Sequence, residues 1–221
     1  MEIKIEDYNN ANSIIDDKYK HEWNEIENII QTMPLHIKAS DQAGKQGQAI
    51  FDPVGTNAFI KNKMQDIGWI PNKEIPEEYR FLGTDIDFVK AGILIEVQFS
   101  NYPFLLNNLL RSELFFQAKT KFIASEADLL IIITKGHMFP ASNSTLYFEQ
   151  ARNQLNALAN NNVFDIPIRL VGLVSPISDS VQCNWTTYDD PRYSRTVELK
   201  EEISVKISSG KQKKSRTIIT R

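Results

Sequence analysis

Cysteine is almost absent from this chain: Cys183 is the only one. A disulfide framework and a cysteine-built zinc site both need more than one thiol, so both are excluded. Histidine is scarce too. His21, His36 and His137 stand far apart with no ligand spacing, and solvent-exposed or satisfied structural histidines are expected rather than a zinc centre. Ser142 and Ser144 lie near His137, but no nucleophile elbow and no placed acid accompany them, so serine-hydrolase chemistry is not indicated. Long apolar runs are missing: stretches such as Leu129 to Ile133 fall far short of a bilayer span. No membrane partner is expected. The opening segment, MEIKIEDYNN, has mixed charge and no apolar h-region, so it does not read as a secretory signal, and the cytoplasm is the expected location.

What is present is enough for a core. The 221 residues are 42% hydrophobic and 10% aromatic, which suits one large domain or two small ones. The net charge of −3 is unevenly spread. From Lys206 to Arg221 there are six basic residues (Lys206, Lys211, Lys213, Lys214, Arg216 and Arg221) and no acidic ones, leaving 19 basic against 28 acidic residues elsewhere. A concentrated basic stretch is either a phosphate-binding face or a solvated tail. Charge alone does not choose between them.

No internal repeat, long low-complexity segment or linker interrupts the chain. Apolar residues recur at near-helical spacing from Ser13 to Met33, and Pro34 ends that helix. Residues 38–50 (KASDQAGKQGQAI) are polar and read as a mobile loop. A shorter helix is expected from Val54 to Ile67, stopped by Gly68, and Pro71 and Pro76 bracket another loop. GTDIDFVK and GILIEVQF, joined at Ala91-Gly92, suggest a hairpin. Pro103 opens a helix of about 16 residues, PFLLNNLLRSELFFQA, whose apolar surface suits a core or a dimer interface. A strand at Leu129–Thr134, an amphipathic helix over 142–160 and a strand at Ile166–Val174 follow. After Ser175 the pattern is loop-rich, with short strands near 195–207 and 215–220. Alternating strands and helices predict an α/β or α+β domain on a mixed central sheet flanked by helices, with a β-rich C-terminal segment.

The hairpin carries the chemistry. Alternation puts Asp85 and Asp87 on one face of the first strand, with Ile86 and Phe88 on the other; Glu96 and Gln98 share a face of the second. In a hairpin, Asp87 and Glu96 can face each other. Two adjacent carboxylates repel, and a hard cation such as Mg²⁺ relieves them while keeping waters of its own. From spacing alone a solvated polar face serves equally. Glu96, however, interrupts an apolar strand, where an unpartnered charge is costly to bury.

Ile86-Asp87 followed by Glu96-Val97-Gln98 resembles the PD-(D/E)xK nuclease superfamily, with isoleucine in the usual proline position and glutamine in the lysine position. Longer blocks carry a more specific resemblance: MPLHIKASDQAGK, IFDPVGTN, FLGTDIDF, EVQFSNYPFLLNN, RSELF, IIITKGHMFPASNS, NVFDIPIRLVGL and RYSRT are similar to the BglII-type restriction endonucleases, which also have glutamine there. The similarity runs from about residue 30 to 196 and weakens at both ends. It implies one restriction-endonuclease-like domain over residues 1–221, acting as a Mg²⁺-dependent homodimer in a prokaryotic cytoplasm. Such an enzyme cuts double-stranded DNA at the palindrome AGATCT after the first A, leaving 5′ overhangs, and is paired with a DNA methyltransferase.

By the same resemblance Asp87 and the backbone carbonyl of Val97 are metal ligands. Glu96 and Gln98 position metal-bound or attacking water, and Asn72 hydrogen-bonds the nucleophilic water. The catalytic hairpin spans about 83–99, recognition segments lie at about 136–145 and 188–196, and the basic tail covers about 206–221. Ser100, Asn101, Asn143, Ser144, Tyr193 and Arg195 match positions that contact DNA. Their donor and acceptor groups suit major-groove edges, although Asn143 and Ser144 would equally cap a helix. Lys38, Lys45 and Arg192 are either phosphate contacts or solvated surface. A catalytically inactive DNA-binding relative is the alternative, as is a looser-specificity nicking enzyme. The joint presence of Asn72, Asp87, Glu96 and Gln98 speaks against the first, and ASNS and RYSR against the second.

Overall fold

The computed structural model describes residues 1–141, 145–190, 195–210 and 217–220. EIKIEDY alternates charged and apolar side chains and forms strand β1 (Glu2–Tyr8). A helical stretch follows as α1 (Ala11–Ile14), a π-helical turn (Ile15–Tyr19) and α2 (Lys20–Thr32). Buried Ala11, Ile15, Tyr19 and Trp23 recur every four residues. That spacing drifts around an ordinary α-helix, and the wider π turn holds all four on one face. The loop expected over 38–50 is shorter than that, because β2 (Leu35–Ala39) pairs antiparallel with β3 (Ala49–Phe51). Helix α3 (Pro53–Asp66) starts where Asp52 accepts a hydrogen bond from the Val54 N–H at 3.0 Å, with proline in the first turn.

The loop expected between Pro71 and Pro76 is instead strand β4 (Ile70–Glu74) and the start of a 3₁₀ turn (Glu77–Leu82). β4 is an edge strand, where a proline costs no ladder bond. The expected hairpin is β5 (Asp85–Lys90) and β6 (Ile93–Val97). Its two-residue turn has positive φ at both Ala91 (54°) and Gly92 (95°), the geometry that matches strand twist. A side chain at Gly92 would lie 2.7 Å from the Glu126 carbonyl oxygen. Then come α4 (Pro103–Gln117), the short pair β7 (Lys121–Phe122) and β8 (Ser125–Glu126), and β9 (Leu129–Lys135). Helix α5 (Phe148–Ala159) starts later than the 142 expected, because Tyr147 is still extended and bridges to Lys135. β10 (Ile168–Val174) completes this half. The segment after Ser175 is far less loop-rich than expected: β11 (Ser178–Tyr188) and β12 (Val197–Ser209) are the longest strands, followed by β13 (Thr217–Thr220).

The main sheet has the order β1-β10-β9-β6-β5-β4, parallel through β10, β9 and β6 and antiparallel at both edges. A second sheet has the order β13-β12-β11-β2-β3. Leu94, Leu130 and Ile132 pack with Leu105 and Leu109 of α4 and Phe148 and Leu155 of α5 on one face of the main sheet. Ile93, Ile95, Ile131 and Ile133 pack on the other with α2 and with Leu35, Cys183 and Val205 of the second sheet. The architecture is the mixed sheet flanked by helices, with a β-rich C-terminal part. Tyr188 donates to Asp52 at 2.7 Å, which ties β11 to the start of α3. Among the histidines, His21 is paired with Glu25 at 3.2 Å and His137 lies edge-on to Tyr147. His36 is neither exposed nor satisfied: it is buried with neither ring nitrogen hydrogen-bonded, and burial lowers its pKa to about 4. No helix among the described residues is long and apolar enough to cross a membrane.

Candidate active site

The site lies where β4, β5 and β6 end together. β5 and β6 pair through Phe88↔Ile95, Val89↔Leu94 and Lys90↔Ile93. Past that point the Asp87 carboxylate takes over from the ladder and accepts the Val97 N–H at 2.7 Å. Strict alternation along β5 fails here: Phe88 packs in one core cluster and Ile86 in the other, with Val89. Asn72, opposite this break, has a φ of 49°, a conformation asparagine tolerates better than most residues. Its amide donates to Asp85 at 2.7 Å and its oxygen accepts from Lys61 of α3 at 2.7 Å. The bonds from Asn72 and Thr84 lower the Asp85 pKa.

Glu96 is buried on β6, and Arg111 of α4 donates to it at 2.5 Å. Burial pushes the Glu96 carboxyl up to about 8 even though the guanidinium opposes it, and the Asp87 charge pushes the same way. Burial also raises Asp87, against the Val97 N–H and the Arg111 charge. Two neighbouring carboxyls whose ionised forms burial disfavours are a donor set that a hard cation would relieve. The fit is to an ion that keeps most of its own water. Asp85 is engaged by Asn72 and Thr84, Glu96 by Arg111, and no cluster of three or more His, Cys, Asp or Glu exists among the described residues.

Asp87 and Val97 line a cleft of about 210 Å³ together with Asn57, Lys61, Asn72, Phe88 and Arg195. The wall omits Gln98. Its amide nitrogen is bonded to the backbone carbonyl of Ser100 in a very short contact, while its own N–H bonds Ile133 at 2.8 Å. Ser100 and Asn101 are exposed just beyond, and Asn101 turns the chain into α4 by accepting the Phe104 N–H at 3.0 Å. Asn143, Ser144 and Tyr193 lie outside the described residues, as do Arg192 and, in the basic tail, Lys211, Lys213, Lys214, Arg216 and Arg221.

Three charged residues belong to the site or its supports although the sequence pattern does not single them out. Lys61 and Arg111 sit on helices whose partners lie 11 and 15 residues away in the chain. Arg111 is the one basic residue of its helix, but nothing in its local sequence names Glu96 as its partner. Lys135 ends the apolar run of β9 and is buried. Its ammonium donates to the Phe99 carbonyl at 2.6 Å, to the Leu146 carbonyl at 3.3 Å and to the Thr145 hydroxyl. The rings of Phe51, Phe99 and Tyr147 surround it at 5.5, 5.6 and 5.2 Å. It ties the chain leaving Gln98 to the end of segment 136–145.

The family profile described as "Restriction endonuclease BglII/BglIII" matches residues 3–173. The chain belongs to the BglII/BglIII restriction endonuclease family. It is 52% identical, over the full length of both chains, to the type II restriction enzyme BglII of Bacillus subtilis. The crystal structure of BglII complexed with a DNA 16-mer superposes with a TM-score of 0.95 at 52% identity, covering 100% of this chain and 99% of that one. Free BglII gives 0.76 at 48% identity, covering 99% and 100%. Membership makes this protein a site-specific endonuclease of the type II restriction class, the activity expected from its sequence.

Proposed function

We propose that this enzyme hydrolyses double-stranded DNA at AGATCT, after the first A, as a Mg²⁺-dependent homodimer of one-domain subunits. It would work in a prokaryotic cytoplasm beside a methyltransferase that protects the same sites. The observation that carries the reading is the Asp87 carboxylate bonded to Val97 at the mouth of the cleft, with Glu96 behind it. Mg²⁺ bound there would acidify a water and stabilise charge on a phosphate oxygen. Asp87 and the Val97 carbonyl are the atoms that would hold it. Arg111 fixes Glu96 so that its carboxyl stays beside Asp87. Gln98 bonds the Ser100 carbonyl through its amide nitrogen, and its amide oxygen would accept a hydrogen bond from the attacking water and orient it. Asn72, braced between Lys61 and Asp85, supports that water from the other side.

Specificity is assigned to Ser100, Asn101, Asn143 and Ser144 at the inner base pairs and to Tyr193 and Arg195 at the outer one. A palindrome calls for two-fold symmetry in the protein. α4 supplies an apolar stripe for it, Leu106, Leu110 and Leu114 at successive i+4 positions, all exposed.

Cleavage of duplexes carrying AGATCT, GGATCC and AGATCC tests the reading in Mg²⁺. The first should be cut and the others spared; equal cutting of all three would sink the assigned sequence. Asp87→Asn should abolish cleavage and keep specific binding, and a variant that cuts at the wild-type rate would remove Asp87 from the site.

A further inference from the structure

We propose that Lys61 is the phosphate-binding cation of this active site, supplying at the scissile phosphate the positive charge that Gln98 lacks. The proposal rests on the assignment of Asp87 as the metal-site carboxylate. A phosphodiester arrives with one negative charge, and attack by water spreads more of it over the non-bridging oxygens. The cleft already holds Asp87, with Glu96 close behind. An amide at Gln98 can orient a water but cannot offset charge. Any positive charge the protein itself adds beside the metal must come from elsewhere.

Among the described residues, the cations on the cleft wall are Lys61 and Arg195. Arg111 is nearby but buried and engaged by Glu96. Arg195 also lines a second, neighbouring cleft of about 360 Å³ with Lys63 and Lys200, on the opposite side of α3. Lys61 belongs to the active-site cleft alone of these two, and α3 aims it there. Asn57 and Lys61 are four residues apart and so share a helical face, and both line the cleft. The Lys61 ammonium gives one of its donors to the Asn72 oxygen at 2.7 Å, which leaves two for phosphate oxygens. Its charge also reaches Asp85 and Asp87, so it lies within electrostatic range of the carboxylate that would hold the metal. The bond to Asn72 has a second effect: it sets the cation and the water-supporting amide as one unit.

The test uses the full-length enzyme with Lys61→Met, Lys61→Arg, Lys63→Met and Asp87→Asn. Two quantities are read: single-turnover cleavage in Mg²⁺, and metal-free binding to AGATCT duplexes with either a natural or a methylphosphonate linkage at the scissile position. Lys61→Met should cut ~100-fold more slowly or worse, with part of the rate recovered in Lys61→Arg. Neutralising the phosphate should change the affinity of wild type and Lys63→Met by one factor, and that of Lys61→Met by a factor about tenfold different, ~1.4 kcal/mol of coupling. Near wild-type cleavage by Lys61→Met overturns the proposal. So does a slow Lys61→Met whose binding responds to the neutral linkage as wild type does, because Lys61 would then merely support Asn72. Asp87→Asn separates the two levels: if it cuts normally the site reading itself has failed, whereas a dead Asp87→Asn beside an unaffected Lys61→Met condemns Lys61 alone.

Discussion

A glutamine in a nuclease site raises the question of which of its atoms does the work. In Gln98 one N–H of the nitrogen is already bonded to the Ser100 carbonyl, and the oxygen is the acceptor proposed for the water. Gln98→Ala removes that acceptor and should slow single-turnover cleavage; a rate within about twofold of wild type, under ~0.4 kcal/mol of barrier, would make it a bystander. Gln98→Glu should be worse than alanine. Its carboxylate would meet the Ser100 carbonyl oxygen with no donor and add negative charge beside Asp87 and the Glu96 carboxyl. A glutamate variant as fast as wild type would instead show that a stronger base helps. Asp87 and Glu96 are legible in the sequence, because an acid that interrupts an apolar strand must have a partner. Their organic partners are not. Lys61 and Arg111 meet the hairpin only after α3 and α4 fold back onto it, and nothing local in KNK or LRS announces that.

Among the elements, legibility follows how strongly a segment's own pattern outweighs its context. α3, α4, β5, β6, β9 and β10 have a cap, a tight turn or an unbroken apolar run, and they fall where expected. β4 escapes such a pattern because IPNKE has a proline and an asparagine of positive φ, which only an edge position tolerates. β12 and β13 fall near the strands expected at 195–207 and 215–220, whereas β11 escapes such a pattern because a long strand with one face in water shows polar residues throughout and finds its partner in β12. The late start of α5 has its cause at Lys135, which holds Thr145 and Leu146 in extended chain. Burial pushes the Lys135 pKa down to about 7 from 10.5, against three acceptors that favour the ammonium. Between those values the unfolded chain binds more protons at this residue than the folded one. The stability Lys135 contributes therefore rises with pH through that window and is lost as pH falls through it. Urea unfolding at pH 7 and pH 9.5 should show wild type gaining on Lys135→Met by up to ~3 kcal/mol. A gap that stays constant would mean the acceptors and rings keep the ammonium charged in the fold.

At the scale of the whole molecule, the proposed dimer needs a surface through which to form. The exposed leucines of α4 leave a stripe that water should not border in the active particle. Leu110→Glu places a charge in the middle of it and should shift sedimentation from dimer to monomer, with loss of double-strand cutting. A Leu110→Glu protein that sediments as a dimer and still cuts would move the interface elsewhere.

The same helix has a second master. One side of α4 bears Leu106, Leu110 and Leu114, and the other sends Arg111 to Glu96. Rotating or sliding α4 to suit a different partner geometry would disturb the Arg111 bond to Glu96, the carboxyl proposed to sit beside the metal. If the proposed dimer forms through that stripe, half-site spacing and chemical competence share one rod, and a drift toward a longer or shorter palindrome would call for a rebuilt active site in the same step.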